Sequence, residues 1–435
     1  MFKNYPKFSM RFVFSGLLIG FAVRIGMLWF VDYKFDVGDA SGYLSTAHNL
    51  INHHTLSDEL SDNPLPSTYR PPFYPFFVAL ITSIFGHSPF SIQISQMVIS
   101  LIAGLLITSV AAKIVPKAAP WVFLLAMISP FEAVYTGAVL AETVTAFLLV
   151  AAFFAITVVN GLKRWAIGGI LLGLCVLTRD IYWPLILLVS MSWLLMGAGR
   201  MLYRVRDVVV LVISMLLVIL PWTVRNHHVT DRWIFVSEGR LGYSLWMGTW
   251  AIDGKFTKNE TGGNKRVYPP EAFRSAAEEE LIYAADAKGI KDSDPVYRSL
   301  AIKRIIEEPG NVLMTYLIRA PLLWLGTRFD IFQLNSTIFP YNSSSWFAVK
   351  TILWGINSLL LLAAILGACV AWHRRYNVVI ISLPILYTAL IYFPLNGFEN
   401  RYSQPVYPFV LFFAGIFISF MADKFSGSSK LKQVG

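Results

Sequence analysis

Charge and cysteine are what this 435-residue chain has least of. Asp, Glu, Lys and Arg make up 14% of it, against 56% hydrophobic residues and a mean hydropathy of +0.58. No water-soluble core of this size calls for that balance. The two cysteines, Cys175 and Cys369, fall inside long apolar stretches and carry no information about redox compartment. Strict alternation of apolar and polar residues is missing too, which excludes a transmembrane barrel and leaves helices as the spanning elements. There is no internal repeat and no low-complexity tract. The first apolar run lacks a small-residue cleavage site, so it reads as an anchor and not as a removable signal. His53 and His54, and again His227 and His228, are adjacent without metal-ligand spacing and read as loop histidines.

Acidic residues are nearly absent from one set of loops. Lys3, Lys7, Arg11, Lys113, Lys117, Lys163, Arg164, Arg200, Arg204, Arg206, Arg374, Arg375, Lys424, Lys430 and Lys432 share theirs with only Asp207 and Asp423. The net charge of +10 is therefore a topology signature and not a nucleic-acid footprint. Placing these loops in the cytoplasm puts both termini there and predicts ten spans, at 12–31, 92–112, 118–136, 143–162, 165–178, 181–199, 208–224, 351–372, 376–393 and 404–422. The apolar stretch 71–86 and the amphipathic one 311–326 break the alternation if they cross, and are expected to lie against the outer leaflet. The chain divides into an N-terminal transmembrane module, 1–224, with an external loop at 32–87; a mostly helical external region, 225–350; and C-terminal transmembrane helices with a cytoplasmic tail, 351–435. Helices are expected at 270–287 and 295–308, each opened by a proline, with Asp294 capping the second.

Eleven further ionisable residues lie near outer span ends: Asp36, Asp39, Arg70, Glu132, Glu142, Arg179, Asp180, Arg225, Arg328, Glu399 and Arg401. Carboxylates and guanidiniums at one boundary suit a single task, holding a lipid phosphate while deprotonating a group that attacks beside it. Each residue has a plainer reading as well. Asp39 and Glu142 are well placed to cap helices, each arginine to anchor at the interface, and the aromatics of "YRPPFYPFF" to form an interfacial belt. Arg24 lies inside the first span, where an ionisable group is a functional candidate by default and snorkelling is the alternative.

"DASGYLSTAHNL", followed by "TYRPPFYPFFVALITSIFG", resembles the first external loop of the glycosyltransferase C superfamily, in its branch of polyprenyl-phosphate-sugar-dependent transferases. That branch includes protein O-mannosyltransferases and lipid A aminoarabinose transferases. The likeness runs on through "GAVLAETVTAFLL", "GLCVLTRDIYWPLI", "LPWTVRN", "GYSLWMGT", "EEPGNVLMTYLIRAPLLWLG" and "ENRYSQPVYPFVLF", in the family's order and over nearly the whole chain. The resemblance implies an all-α polytopic fold of about ten transmembrane helices, outer-face juxtamembrane helices and a small external helical region. It also implies an inverting transfer of a sugar from a polyprenyl-phosphate carrier to a hydroxyl at the membrane surface; compact length and short loops point to a bacterial inner membrane, with the site on its periplasmic or extracellular side.

Under that resemblance Asp39 matches the family's general base, with Asp36 as the alternative, and Glu142 matches a second acidic position that orients the acceptor or holds Asp39. Arg70, Arg179, Arg225 and Arg401 match positions that bind the donor phosphate. Tyr43, Tyr69, Tyr74, Tyr243, Arg328, Glu399 and Tyr402 are read as further substrate contacts. Two departures stand out. Ala40 occupies the place of a second acid, which counts against a paired-carboxylate metal site and leaves a divalent metal open. Asp180 replaces a more usual proline beside Arg179 and is a competitor for it. The expected partners are the lipid-phosphate sugar, a lipid, glycan or protein acceptor and membrane lipids, with no nucleic acid. The rival class is a multi-pass transporter or lipid flippase, for which repeats and midplane polar groups are the usual marks. A third reading is an oligosaccharide ligase drawing on a polyprenyl pyrophosphate.

Overall fold

The computed structural model describes residues 9–36, 38–251, 268–287, 290–395, 397 and 399–431, so Lys3, Lys7 and Lys432 of the basic loops lie outside it. Among the described residues nearly everything is helical. The helices are α1 (Met10–Phe30), α2 (Gly38–Asn52), α3 (Phe73–Phe85), α4 (Pro89–Ile114), α5 (Ala119–Ile128), α6 (Pro130–Thr136), α7 (Glu142–Val158), α8 (Lys163–Thr178), α9 (Leu185–Met196) and α10 (Met201–Thr230). They continue with α11 (Leu241–Trp250), α12 (Ala276–Asp286), α13 (Ile290–Glu307), α14 (Pro309–Arg319), α15 (Ser344–His373), α16 (Val379–Tyr392) and α17 (Tyr407–Leu431). A two-residue antiparallel pair joins β1 (Val31–Asp32) to β2 (Gln333–Leu334).

Helix starts follow their capping residues. Ser9, Ser88, Ser129 and Ser343 each accept an N–H from the first turn of α1, α4, α6 and α15, and proline follows at the first position of α4 and α6. Each of the ten expected spans falls on a helix. Five helical stretches, those of α1, α4, α10, α15 and residues 400–425, are long and apolar enough to cross a membrane. The expected span at 118–136 is broken at Ser129, where α5 and α6 meet with a bend of 43°. Other expected spans fall on shorter apolar helices such as α7, α9 and α16, because hydropathy reads through the loops and prolines that end a helix.

The chain forms two compact units: Met1–Ser237 with Thr327–Ile385 and Gln404–Gly435, and Glu238–Gly326 with Leu386–Ser403. These cut the chain elsewhere than the loop boundaries of the sequence do, because packing joins segments far apart in the chain. In the first unit α4 packs on α7, α7 on α8, α8 on α10, and α17 on α5 and α15. The α8–α10 contact is backbone-close. A Cβ at Gly169 would meet the Leu211 carbonyl oxygen at 2.3 Å and one at Gly173 the Met215 oxygen at 3.0 Å, so this face of α8 admits only glycine. Arg24 settles its two readings: it is fully buried, and donates to Ser100 Oγ and to the carbonyls of Gly20, Ala126 and Met127. It staples α1 to α4 and α5, and it does not snorkel.

In the second unit Trp246, Tyr268, Ile282 and Tyr297 form an aromatic core. The Tyr297 hydroxyl donates to Asp286 at 2.8 Å, and buried Arg319 donates to the carbonyls of Gly248, Ala251 and Phe393, closing the end of α11. α13 corrects the expected helix 295–308. It begins at Ile290 and runs through Pro295, so Asp294 is not its cap; that carboxylate accepts the Tyr243 N–H at 3.0 Å instead. α14 is amphipathic as expected, with Val312, Tyr316 and Arg319 inside and Leu313, Met314, Leu317 and Ile318 exposed.

Candidate functional site

Two carboxylate–guanidinium pairs of the first unit surround one tyrosine. Asp39 sits in the first turn of α2, where the helix dipole favours a negative charge. Its carboxylate takes Arg70 at 3.3 Å, from the loop before α3, and the same guanidinium lies 3.7 Å from Asp58. Glu142 is the first residue of α7 and 3% exposed; with no side-chain cap on that helix, it takes Arg179 at 3.0 Å. Tyr43, one turn beyond Asp39, lies between them. The Arg70 guanidinium stands 4.7 Å from its ring centre. Burial, then the carboxylates of Asp39 and Glu142 against the opposing charges of Arg70 and Arg179, pushes its phenol up to about 12.

The supports of this cluster are polar and buried. Gln93 and Gln96 of α4 donate to the carbonyls of Thr136, Gly137 and Ala138, fixing the turn that leads into Glu142. Gln96 also accepts the Tyr74 hydroxyl at 3.0 Å, and the Tyr74 ring meets Tyr43 edge-on at 4.7 Å. The loop carrying Arg70 is held by Asn49, which donates to the carbonyls of Ser57 and Glu59. Arg225 of α10 donates to the Ser67 carbonyl at 2.8 Å and so fastens the same loop three residues before Arg70.

Of the residues singled out in the sequence, the first unit brings together Asp39, Arg70, Tyr43, Tyr69, Tyr74, Glu142 and Arg179, with Tyr69 stacked under Arg70 at 5.4 Å. Arg225 reaches the cluster through its loop. Asp36 is exposed in the turn before α2. Arg328 is fully buried, donates to Gln404 at 3.0 Å and covers the Tyr407 ring; Gln404 in turn donates to Glu132. Those residues form a separate buried chain. Asp180, the expected competitor, accepts the Ser237 hydroxyl at 2.5 Å, and Arg179 reaches Glu142 all the same. Glu399, Arg401, Tyr402 and Tyr243 belong to the second unit, where Arg401 pairs with Glu399 at 3.4 Å and Tyr402 stacks on Tyr392. Sequence reasoning missed Asp58, Gln93 and Gln96. Only the burial of Gln96 inside an otherwise apolar helix marks it in retrospect.

Among the described residues no three His, Cys, Asp or Glu are grouped to hold a metal ion. Asp39 and Asp58 both turn to one guanidinium, so this donor set does not fit a carboxylate-bridged cation.

Over its full length the chain matches the archaeal oligosaccharyltransferase AglB from Archaeoglobus fulgidus, a structure in complex with an inhibitory peptide and a dolichol-phosphate. The TM-score is 0.53 at 15% identity, covering 99% of this chain and 52% of that one. It has the glycosyltransferase C fold. Residues 69–224 match a family model described as dolichyl-phosphate-mannose-protein mannosyltransferase. That stretch holds Arg70, Glu142 and Arg179 and stops one residue short of Arg225. ArnT from Cupriavidus metallidurans bound to undecaprenyl phosphate is also similar, at TM-score 0.43 and 14% identity, covering 95% of this chain and 78% of that one. The chain spans about half the length of the AglB structures it matches. No curated protein matches it in sequence.

Proposed function

We propose that this glycosyltransferase C protein transfers a sugar from a polyprenyl-phosphate carrier to a hydroxyl acceptor at the outer membrane face, with inversion and with Asp39 as general base. The observation that carries the reading is the pairing of Asp39 with Arg70 beside that of Glu142 with Arg179, around one buried phenol. Guanidiniums so placed are fixed donors for the phosphate that leaves. Asp39 takes the acceptor proton as the acceptor oxygen attacks the anomeric carbon, and the bond from that carbon to the phosphate oxygen breaks. The electron pair leaves with the polyprenyl phosphate, whose growing charge falls on Arg70 and Arg179. Asp39 is 36% exposed in its side chain, open enough to meet an acceptor, whereas Glu142 is shut in and orients Arg179. Asp36 is the alternative base. The family description and the AglB structure, which holds a peptide and a dolichol-phosphate, support a dolichol-type carrier and a protein acceptor.

The test is transfer by purified full-length protein in nanodiscs, supplied with a panel of polyprenyl-phosphate sugars. Release of polyprenyl phosphate and a glycosylated acceptor is expected, and Asp39→Asn is expected to abolish both. Full release by Asp39→Asn removes the base assignment. A second reading, an oligosaccharide ligase, is favoured by the AglB likeness; consumption of a polyprenyl-pyrophosphate oligosaccharide and of no monosaccharide carrier would establish it instead.

A further inference from the structure

We propose that Gly42 is a positioning residue for the donor phosphate, its missing side chain being the berth in which the Arg70 guanidinium lies between Asp39 and Asp58. The inference rests on the donor reading above and adds to it a residue that makes no ligand contact. Gly42 lies in the interior of α2 with helical backbone, outside the set of left-handed glycines that includes its neighbour Gly38. Nothing in its conformation asks for glycine, and alanine is the better helix former at such a position. What asks for glycine is space. A Cβ there would stand 2.4 Å from Arg70 Nη2, 2.9 Å from Cζ and 3.0 Å from Nε. These three nearest atoms all belong to the guanidinium, so that group is the first the added methyl displaces.

The displaced group is the one that counts. From its berth on Gly42 the guanidinium faces Asp39 at 3.3 Å and Asp58 at 3.7 Å and lies over the Tyr43 and Tyr69 rings. An arriving phosphate competes with Asp39 for the same donors. Once it has taken them, Asp39 is released from its cation and becomes the stronger base, while Asp58 still holds the guanidinium from the other side. The berth therefore couples donor binding to the availability of the base.

Undecaprenyl phosphate is the probe, titrated against full-length protein in nanodiscs. Gly42→Ala is expected to bind it about tenfold more weakly, the loss expected for one charge-assisted hydrogen bond, with an unchanged or raised melting temperature. Arg70→Ala is expected to lose the same affinity, and Gly42→Ala placed on Arg70→Ala to lose nothing more, since the methyl then has no guanidinium to move. Wild-type affinity in Gly42→Ala, or an equal further loss in the double variant, overturns the proposal. The readout does not depend on turnover. Lipid binding that follows this pattern in a protein that transfers no sugar defeats the catalytic reading alone, and normal transfer with an indifferent Gly42 defeats the berth alone.

Discussion

The Glu142 carboxylate holds the Arg179 guanidinium at 3.0 Å with 3% and 16% of the two side chains exposed. A pair so enclosed was costly to desolvate, and removing one partner strands the other. Glu142→Gln is expected to destabilise the protein by about 3 kcal/mol and to lower sugar transfer. Replacing both residues together by Gln and Met is expected to recover part of the stability but none of the transfer. Denaturant midpoints and release of polyprenyl phosphate, measured on the same preparations, check this. Transfer that returns with stability in the double variant would show that the pair serves the fold and not the reaction.

The Asp39–Arg70 pair behaves differently because it is open. With 36% of the Asp39 side chain exposed, solvent screens the attraction, and its loss is expected to cost about 1 kcal/mol or less. Asp39→Asn should therefore melt close to wild type and yet lose transfer by several orders of magnitude, while still binding undecaprenyl phosphate. A large drop in melting temperature would give Asp39 a structural role that its exposure does not support.

Much of this was legible before any coordinates. Apolar runs and the scarcity of acids among the basic loops located the long apolar helices α1, α4, α10, α15 and α17. The pairing of Asp39 with Arg70 and of Glu142 with Arg179 was not legible, since partners 31 and 37 residues apart are joined by packing and not by local pattern. The buried ends of the polar supports were hidden for the same reason. Gln93 and Gln96 look like ordinary helix residues until the turn at 136–138 is laid against them. The surroundings of Arg328 were hidden as well. Its place near an expected span end made it a ligand candidate, but the fold turns it inward to Gln404, because residues 327–332 leave the helix with Arg328 in the left-handed region.

Arg24 offers a test of stability without chemistry. Its donors satisfy four acceptors on three elements, so Arg24→Met leaves the Ser100 hydroxyl and the carbonyls of Ala126 and Met127 buried without their partner. A loss of about 2–4 kcal/mol is expected, visible as a lower denaturant midpoint, with transfer per folded molecule unchanged. Normal stability combined with lost transfer would return Arg24 to the list of functional candidates.

Tyr43 makes the site visible in a pH titration. Its folded pKa of about 12 lies above the ordinary value of 10.0, burial being the largest cause and the Asp39 carboxylate the next. The folded state keeps its proton longer than the unfolded chain does. The phenol's contribution to stability is therefore complete below about pH 10 and is lost as the pH climbs from there toward about 12. Tyr43→Phe has no proton to lose, so its stability should fall less steeply than that of wild type across this window. Tyr33, Tyr243 and Tyr297 are raised as well, but they titrate in both proteins and cancel in the difference. Denaturant midpoints of the two proteins from about pH 8 to about pH 12 give the measurement, and parallel curves would mean that Tyr43 is not enclosed by the two carboxylates. Near neutral pH the phenol is protonated with or without this shift, so under the proposed reading a phosphate oxygen between Arg70 and Arg179 would meet a phenol O–H.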